Sequence, residues 1–367
     1  MSLEGKGFMI WKINSCERGH PESIAAAAQS AGLTNVLIKV ADSSQPYNVD
    51  RQRKIDLVPP VVQALKRKGI QVWGWHFVYG NDPLGEARIG IKRVHELGLD
   101  GYIIDAEGDY KHANKTDNAL IYMKTLRSSL NNIPIALSSY RFPRYHPQLP
   151  WQVFLDRCDF NMPQVYWEKA HNPAAQLKQC IIQFQSIKPF RPIIPTGPVY
   201  KVGDWVPTQL DIMEFMNTAR SLGLKSVNFF TWDYARTILS DLWNIISAYK
   251  WGLSPLSQDV TDLYFMALNT YNADMVINLF KPDAVLVTSE RTIQGKEQIK
   301  SWYQSIFSVT FPKATFELTG ISTFKNSKTL SWKIIESDGT VHHFNDTVGI
   351  VDNQIAYFYS NLNLVSS

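Results

Sequence analysis

From the N-terminus to about residue 250, short apolar runs alternate with stretches whose apolar positions recur at helical spacing. The apolar runs are Phe8–Ile13, Asn35–Val40, Gln71–Val78, Gly101–Glu107, Ile135–Tyr140, Asp159–Trp167, Ile193–Val199 and Ser226–Trp232. Their length and their β-branched and aromatic content predict strands. Helical patterns begin near Glu22, Leu57, Leu84, Asp117, Trp151, Pro173, Thr208 and Arg236. Pro173 suits a first helical turn and Thr208 an N-cap, while Gly32, Gly69, Gly98 and Gly223 stand where helices end. Strands this apolar, each followed by a helix, imply a parallel sheet covered on its outer face. Eight such units in about 240 residues are the arithmetic of a closed (β/α)₈ TIM barrel. An open doubly wound sheet would want a Gly-rich phosphate loop after an early strand, and the sequence has none.

The texture changes at Trp251-Gly252-Leu253-Ser254-Pro255, which predicts a boundary between domains at 5–252 and 256–367. Helical patterns at Asp259–Tyr271 and Lys296–Phe307 precede four strand-like runs, Ala314–Phe324, Thr329–Glu336, His342–Val351 and Ile355–Leu362. Ser337-Asp338-Gly339 and Asp352-Asn353 supply hairpin turns. The expectation is a small α+β domain with a curved antiparallel sheet.

Composition narrows the partners more than the fold. The 367 residues are 45% hydrophobic and 19% charged, with a net charge of +4 and no clustered basic stripe. Nucleic acid and a membrane surface are therefore not expected partners. No apolar run reaches the ~20 residues needed to span a bilayer. No leader pattern is visible, which leaves cytoplasmic and secreted-then-processed fates both open. Cys16, Cys158 and Cys180 are too few and too irregularly spaced for a disulfide framework or a zinc site. His112, His146 and His171 fall in loops after strands four to six, but without a ligand spacing that predicts a metal. No cofactor motif is present.

The chemistry concentrates on strand four. Alternation places Gly101, Ile103, Asp105 and Glu107 on one face, assigned to the barrel interior, with the two acids last, at the rim where barrel enzymes keep their catalytic groups. Cα atoms at that spacing lie about 6.7 Å apart. Two carboxyl groups so placed push one pKa upward, which suits one of them to act as a general acid. Lys12 and Lys39, on strands one and two, could instead pair with these acids and hold them ionised, favouring ligand binding over catalysis.

Asp100-Gly101-Tyr102-Ile103-Ile104-Asp105-Ala106-Glu107 resembles the family 18 glycoside hydrolase (chitinase) signature Asp-Gly-x-Asp-x-Asp-x-Glu, with Ile103 at the middle Asp. Gly74-Trp75-His76-Phe77, Asn35-Val36-Leu37-Ile38-Lys39-Val40 and Asp105-x-Glu107 resemble strands three, two and four of the family 25 lysozyme-type enzymes. The resemblance implies a glycosidase acting on an N-acetylhexosamine polysaccharide such as peptidoglycan or chitin. Glu107 would be the proton donor, and Asp105 would orient an N-acetyl group that attacks the anomeric carbon. Alternatively the second carboxylate is Asp233 on strand eight. Its distance from Glu107 would then separate retention (~5–5.5 Å) from inversion (~6.5–9.5 Å). Two positions depart from the families: Lys12-Ile13-Asn14 lacks the family 25 strand-one Asp, and Gln164 stands at the Tyr of the family 18 Met-x-Tyr-Asp.

His76, Trp75, Gln164, Tyr166, Trp232, Tyr140 and Lys12 are the candidate sugar-binding residues, the aromatics by stacking on apolar sugar faces. Residues 256–367 resemble the SnoaL-like, nuclear-transport-factor-2-like superfamily through Tyr264, Tyr271-Asn272-Ala273-Asp274, Phe280–Val285, Gly295–Ile299 and Asp352–Ile355. That resemblance implies a cone enclosing a pocket, with Trp332, His343 and Tyr359 as candidate lining, and a homodimer through the open sheet. Two other functions stay open: a barrel that binds carbohydrate without catalysis, and a small-ligand protein acting through its C-terminal domain.

Overall fold

The computed structural model describes residues 3–113, 115–251 and 260–362. The chain divides into two compact units, Met1–Gly252 and Leu253–Ser367. The expected boundary stretch, apart from Trp251, lies outside the described residues, as does Asp259.

The first unit is a closed barrel of parallel strands: β1 (Gly5–Ile10), β2 (Asn35–Asp42), β3 (Gln71–Val78), β4 (Gly101–Ala106), β5 (Ile135–Tyr140), β6 (Phe160–Gln164), β7 (Thr196–Pro198) and β8 (Ser226–Phe230). Each pairs with its neighbour in sequence, and β1 closes on β8 through Gly5↔Ser226 to Phe8↔Phe229. Helices α1 (Pro21–Ser30), α2 (Val58–Arg67), α3 (Pro83–Leu97), α4 (Lys115–Ser129), α5 (Trp151–Leu155), α6 (Pro173–Gln185), α7 (Gln209–Ser221), α8 (Trp232–Thr237) and α9 (Ser240–Ala248) follow the strands. Local chemistry sets their ends. Thr208 and Asp211 form a reciprocal capping box at α7, and Gly98 stops α3 in the left-handed conformation. At the floor of the barrel, buried Lys6 donates to the carbonyls of Ala31, Ile246, Ser247 and Tyr249, pinning the end of α9 to β1.

The observed β7 is much shorter than Ile193–Val199, because Pro192, Pro195 and Pro198 offer no N–H to a ladder. Strands six and eight also end early, at Gln164 and Phe230. The barrel interior is filled by Met9, Leu37, Trp73, Trp75, Ile103, Ala136, Met162 and Ile194. Burying side chains of this size stabilises the fold by roughly 1.5–3 kcal/mol each.

The second unit holds α10 (Val260–Leu268), α11 (Ala273–Ile277), α12 (Lys296–Ser305) and a sheet of strands β9 (Phe280–Val287), β10 (Thr292–Gln294), β11 (Thr315–Phe324), β12 (Ser327–Ile335), β13 (Val341–Val351) and β14 (Gln354–Tyr359). Their order is β10-β9-β14-β13-β12-β11. The sheet is mixed rather than purely antiparallel, since β9 and β14 run parallel. Sequence periodicity missed β9 and β10, because Lys281-Pro282-Asp283 interrupts the alternation where the β9–β14 register shifts. Asp352 and Asn353 both adopt positive φ (54° and 58°), forming the tight two-residue hairpin expected there. Among the described residues no helix is long and apolar enough to cross a membrane.

Candidate active site

The interior face of β4 is built in layers. At Gly101 a Cβ would sit 2.3 Å from the Trp73 ring, so only glycine lets that indole fill the barrel. Ile103 occupies the next layer, within the interior cluster. Asp105 follows, paired in register with Phe77 and Ser138 and only 6% exposed. Glu107 comes just after the strand, half-buried, at the mouth.

Gln164, at the end of β6, joins the two acids. Its Nε2 donates to Asp105 Oδ1 at 3.1 Å and to Glu107 Oε1 at 2.8 Å. Burial raises the Asp105 pKa well above its ordinary 3.8, and the negative charge of Glu107 raises it further. Lys39 and a hydrogen bond from Ser138 act in the opposite direction without reversing it. Asp105 therefore keeps its proton to a higher pH than an isolated carboxyl does.

Two cavities meet at this pair. The first, of ≈200 Å³, is lined by Met9, Trp11, Lys39, Trp75, Phe77, Asp105, Glu107, Gln164, Tyr166 and Phe230. Its walls are aromatic: the Phe230 ring lies 6.2 Å from Trp11, 6.4 Å from Trp75 and 6.3 Å from Tyr166. Trp75 is fixed by an Nε1 bond of 3.1 Å to the Ile10 carbonyl. Lys39 Nζ sits 4.9 Å from the Trp75 ring centre but gives its ion pair to Asp42, at 2.6 Å. The second cavity, of ≈420 Å³, is lined by Tyr140, Arg141, Phe142, Tyr145, His146, Glu168 and Tyr200. Glu107, Gln164 and Tyr166 belong to both, so Glu107 stands at their junction. Tyr140 stacks on His146 with ring centres 3.7 Å apart.

Asp105, Glu107, Trp75, Gln164, Tyr166 and Tyr140 thus come together at the mouth, and four other expected barrel residues do not. His76 points out of the barrel, fully buried, with Nδ1 against the Tyr102 hydroxyl and Nε2 against the Ser43 carbonyl. Burial lowers its pKa to about 4. Lys12 is exposed and lines a different cavity, with Asn14, Tyr47 and Arg51. Trp232 is buried beside Phe8 and Trp243, because the strand has ended and the residue begins α8. Asp233, in that first helical turn, accepts a hydrogen bond from Thr231 and lines neither cavity holding Glu107. Phe230, Phe77 and Trp11 take the places expected of these residues. The signal for them was strand parity: Met9 on β1 and Trp11 just past its end line the cavity while Lys12 does not, and Trp75 and Phe77 face inward on β3, so His76 cannot.

In the second unit Trp332 is buried, its Nε1 donating to Asp346 Oδ2 at 3.0 Å. His343 and Tyr359 lie on the outer, exposed face of the sheet, so they line no interior pocket. The space between sheet and helices is filled by rings, including Tyr264, Phe265, Phe316, Trp332 and Phe358. Cys16, Cys158 and Cys180 are buried thiols whose pKa values burial raises. No group of three His, Cys, Asp or Glu side chains that could hold a metal occurs among the described residues.

Fold and site together define a closed (β/α)₈ barrel with a carboxyl pair bridged by Gln164 at its mouth, followed by a curved-sheet domain. Residues 260–356 match the SnoaL-like domain family. No curated protein matches the chain. Solved structures similar to the second unit include a candidate polyketide cyclase from Sinorhizobium meliloti (20% identity, 28% of this chain and 94% of that one, TM-score 0.26). A candidate isomerase of the SnoaL-like family from Agrobacterium tumefaciens shows 19% identity over 28% of this chain and 94% of that one, with a TM-score of 0.26. A protein with a ketosteroid isomerase-like fold from Catenulispora acidiphila, solved with trimethylamine, shows 16% identity over 29% and 87%, with a TM-score of 0.26.

Proposed function

We propose that the barrel is a glycoside hydrolase acting on an N-acetylhexosamine-containing polysaccharide such as peptidoglycan or chitin. The observation that carries this is the Asp105–Glu107 pair, bridged by Gln164, at the junction of an aromatic cavity and a larger polar one. A glycosidic bond lying across that junction puts one sugar on the Trp75, Phe230 and Tyr166 rings and the leaving sugar in the second cavity. Glu107 takes over the proton held on Asp105 and gives it to the glycosidic oxygen as the bond to the anomeric carbon breaks, which leaves Asp105 ionised. The N-acetyl carbonyl oxygen of the first sugar closes on that carbon, with Asp105 accepting from the N-acetyl N–H. Water reopens the ring with Glu107 as base, and the configuration is retained. The positions of Asp105 and Gln164 favour this route over one that uses Asp233.

The test is hydrolysis of chitin and peptidoglycan fragments by the whole chain and by Glu107→Gln. The wild type should turn over at least one of them, and the variant should lose at least ~10²-fold in kcat. Binding without turnover in both proteins would make the barrel a carbohydrate-binding module instead. For the second unit we propose an accessory role as a homodimerising domain. Its outer sheet face leaves Tyr357, Tyr359 and Val341 exposed, and sedimentation of Tyr357→Lys against wild type tests that role.

A further inference from the structure

The cavity on the leaving-group side of Glu107 contains a guanidinium that is hydrogen-bonded to no anion. Arg141 is half-buried there and uses only its Nε, which donates to Gln176 Oε1 at 2.9 Å. Its guanidinium carbon lies 5.0 Å from the Phe142 ring centre. Among the described residues it makes no ion pair, and its terminal nitrogens have no protein acceptor. Burial lowers its pKa, and the charge of Glu168, close by but not bonded to it, opposes this without reversing it. Glu168, the acid that also lines this cavity, is engaged by the Tyr200 hydroxyl at 2.5 Å rather than by Arg141. Two more basic groups border the space: His146 lines it, and Lys111 Nζ lies 3.3 Å from His146 Nδ1 and 4.6 Å from the Tyr140 ring centre.

We infer that this cavity is a subsite for a sugar bearing a carboxylate, and that Arg141 is the specificity-determining residue that reads it. The inference rests on the glycosidase reading and sharpens its substrate class: an N-acetylhexosamine linked to an acid-bearing sugar. An unpaired guanidinium presents parallel N–H donors that match a carboxylate in two-point contact. A dianion is a poorer fit, because Glu107 and Glu168 line the same space. The ≈420 Å³ volume admits a sugar ring with a side group. Tyr166 borders the space beside the ring.

Binding can be measured without turnover in the full-length Glu107→Gln protein by titration calorimetry. The ligands are two N-acetylglucosamine oligosaccharides, one alternating with a uronic acid and one with a lactyl-ether sugar, each compared with its carboxyl-reduced alcohol. At least one acid form should bind about tenfold more tightly than its alcohol, the equivalent of ~1.4 kcal/mol. The form that shows the preference identifies which carboxylate is read. Adding Arg141→Gln should abolish the preference, and Arg141→Lys should restore only part of it, since a point charge lacks the fork. Equal affinity for acid and alcohol with Arg141 intact, or a preference that survives Arg141→Gln, overturns the inference. If wild type cleaves neutral chitin fragments while no preference exists, only this inference falls. If the preference exists but wild type cleaves nothing, only the glycosidase reading falls.

Discussion

Two buried aspartates, one in each unit, make a controlled comparison. Asp105 at the barrel mouth and Asp346 inside the curved sheet are 6% and 1% exposed, and burial raises the pKa of both. Their surroundings differ in kind. Asp346 accepts from Trp332 Nε1, Ser360 Oγ and the Asn361 amide, at 2.9–3.0 Å, and faces packed rings. Asp105 faces a second carboxyl, shares one amide donor with it and borders open space. Donors around Asp346 oppose its desolvation, whereas the Glu107 charge adds to that of Asp105. A satisfied buried acid organises a core. An acid left in conflict with its neighbour stores a proton for use.

Three substitutions probe the contrast, in descending order of effect. Asp346→Leu strips three donors of their acceptor and should destabilise the second unit by roughly 3 kcal/mol or more, read by denaturant unfolding. A loss below ~1 kcal/mol would mean that this carboxylate is no more structural than Asp105. Asp105→Asn should act in the opposite direction. Unfolded Asp105 ionises near 3.8, while the folded group keeps its proton to higher pH. The folded state therefore binds more protons above 3.8, and wild-type stability falls as pH rises, by up to ~1.4 kcal/mol per unit until the raised pKa is passed. Asparagine removes that slope, so the variant should gain on wild type as pH climbs from 4. Parallel stability–pH curves would show that Asp105 is not held protonated.

Gln164→Leu should have the smallest effect, on the pH profile. Its amide hydrogen bond favours the ionised form of Asp105, so losing it should move the Asp105 limb of the kcat/KM profile upward, by less than about one unit. An unmoved profile would detach Gln164 from the pair.

Much of this was legible in the sequence because barrels are periodic. Apolar runs separated by helical patterns gave the barrel, and alternation on strand four brought Gly101, Ile103, Asp105 and Glu107 to one face. What misled was parity and strand length. Adjacent strand residues cannot share a face, so Trp75 lines the cavity while His76 points away from it, and Lys12 points away beside inward Trp11. Trp232 and Asp233 failed because β8 ends at Phe230, a stop that no glycine or proline in that run announces. His343 has the parity of half-buried Lys333 and exposed Asn345, while Trp332 has that of buried Leu330 and Ile334. Arg141 and His146 lie on the loop after β5, where no period applies and only tertiary structure assigns a neighbour.

The most direct measurement is turnover of N-acetylglucosamine-containing oligosaccharides by the wild type, Glu107→Gln and Asp346→Asn, assayed side by side below their unfolding temperatures. The account predicts measurable cleavage by wild type and by Asp346→Asn, and a fall of at least ~10² in Glu107→Gln with its ligand affinity retained. Equal rates in wild type and Glu107→Gln, or cleavage that is lost with Asp346 and kept without Glu107, would contradict it.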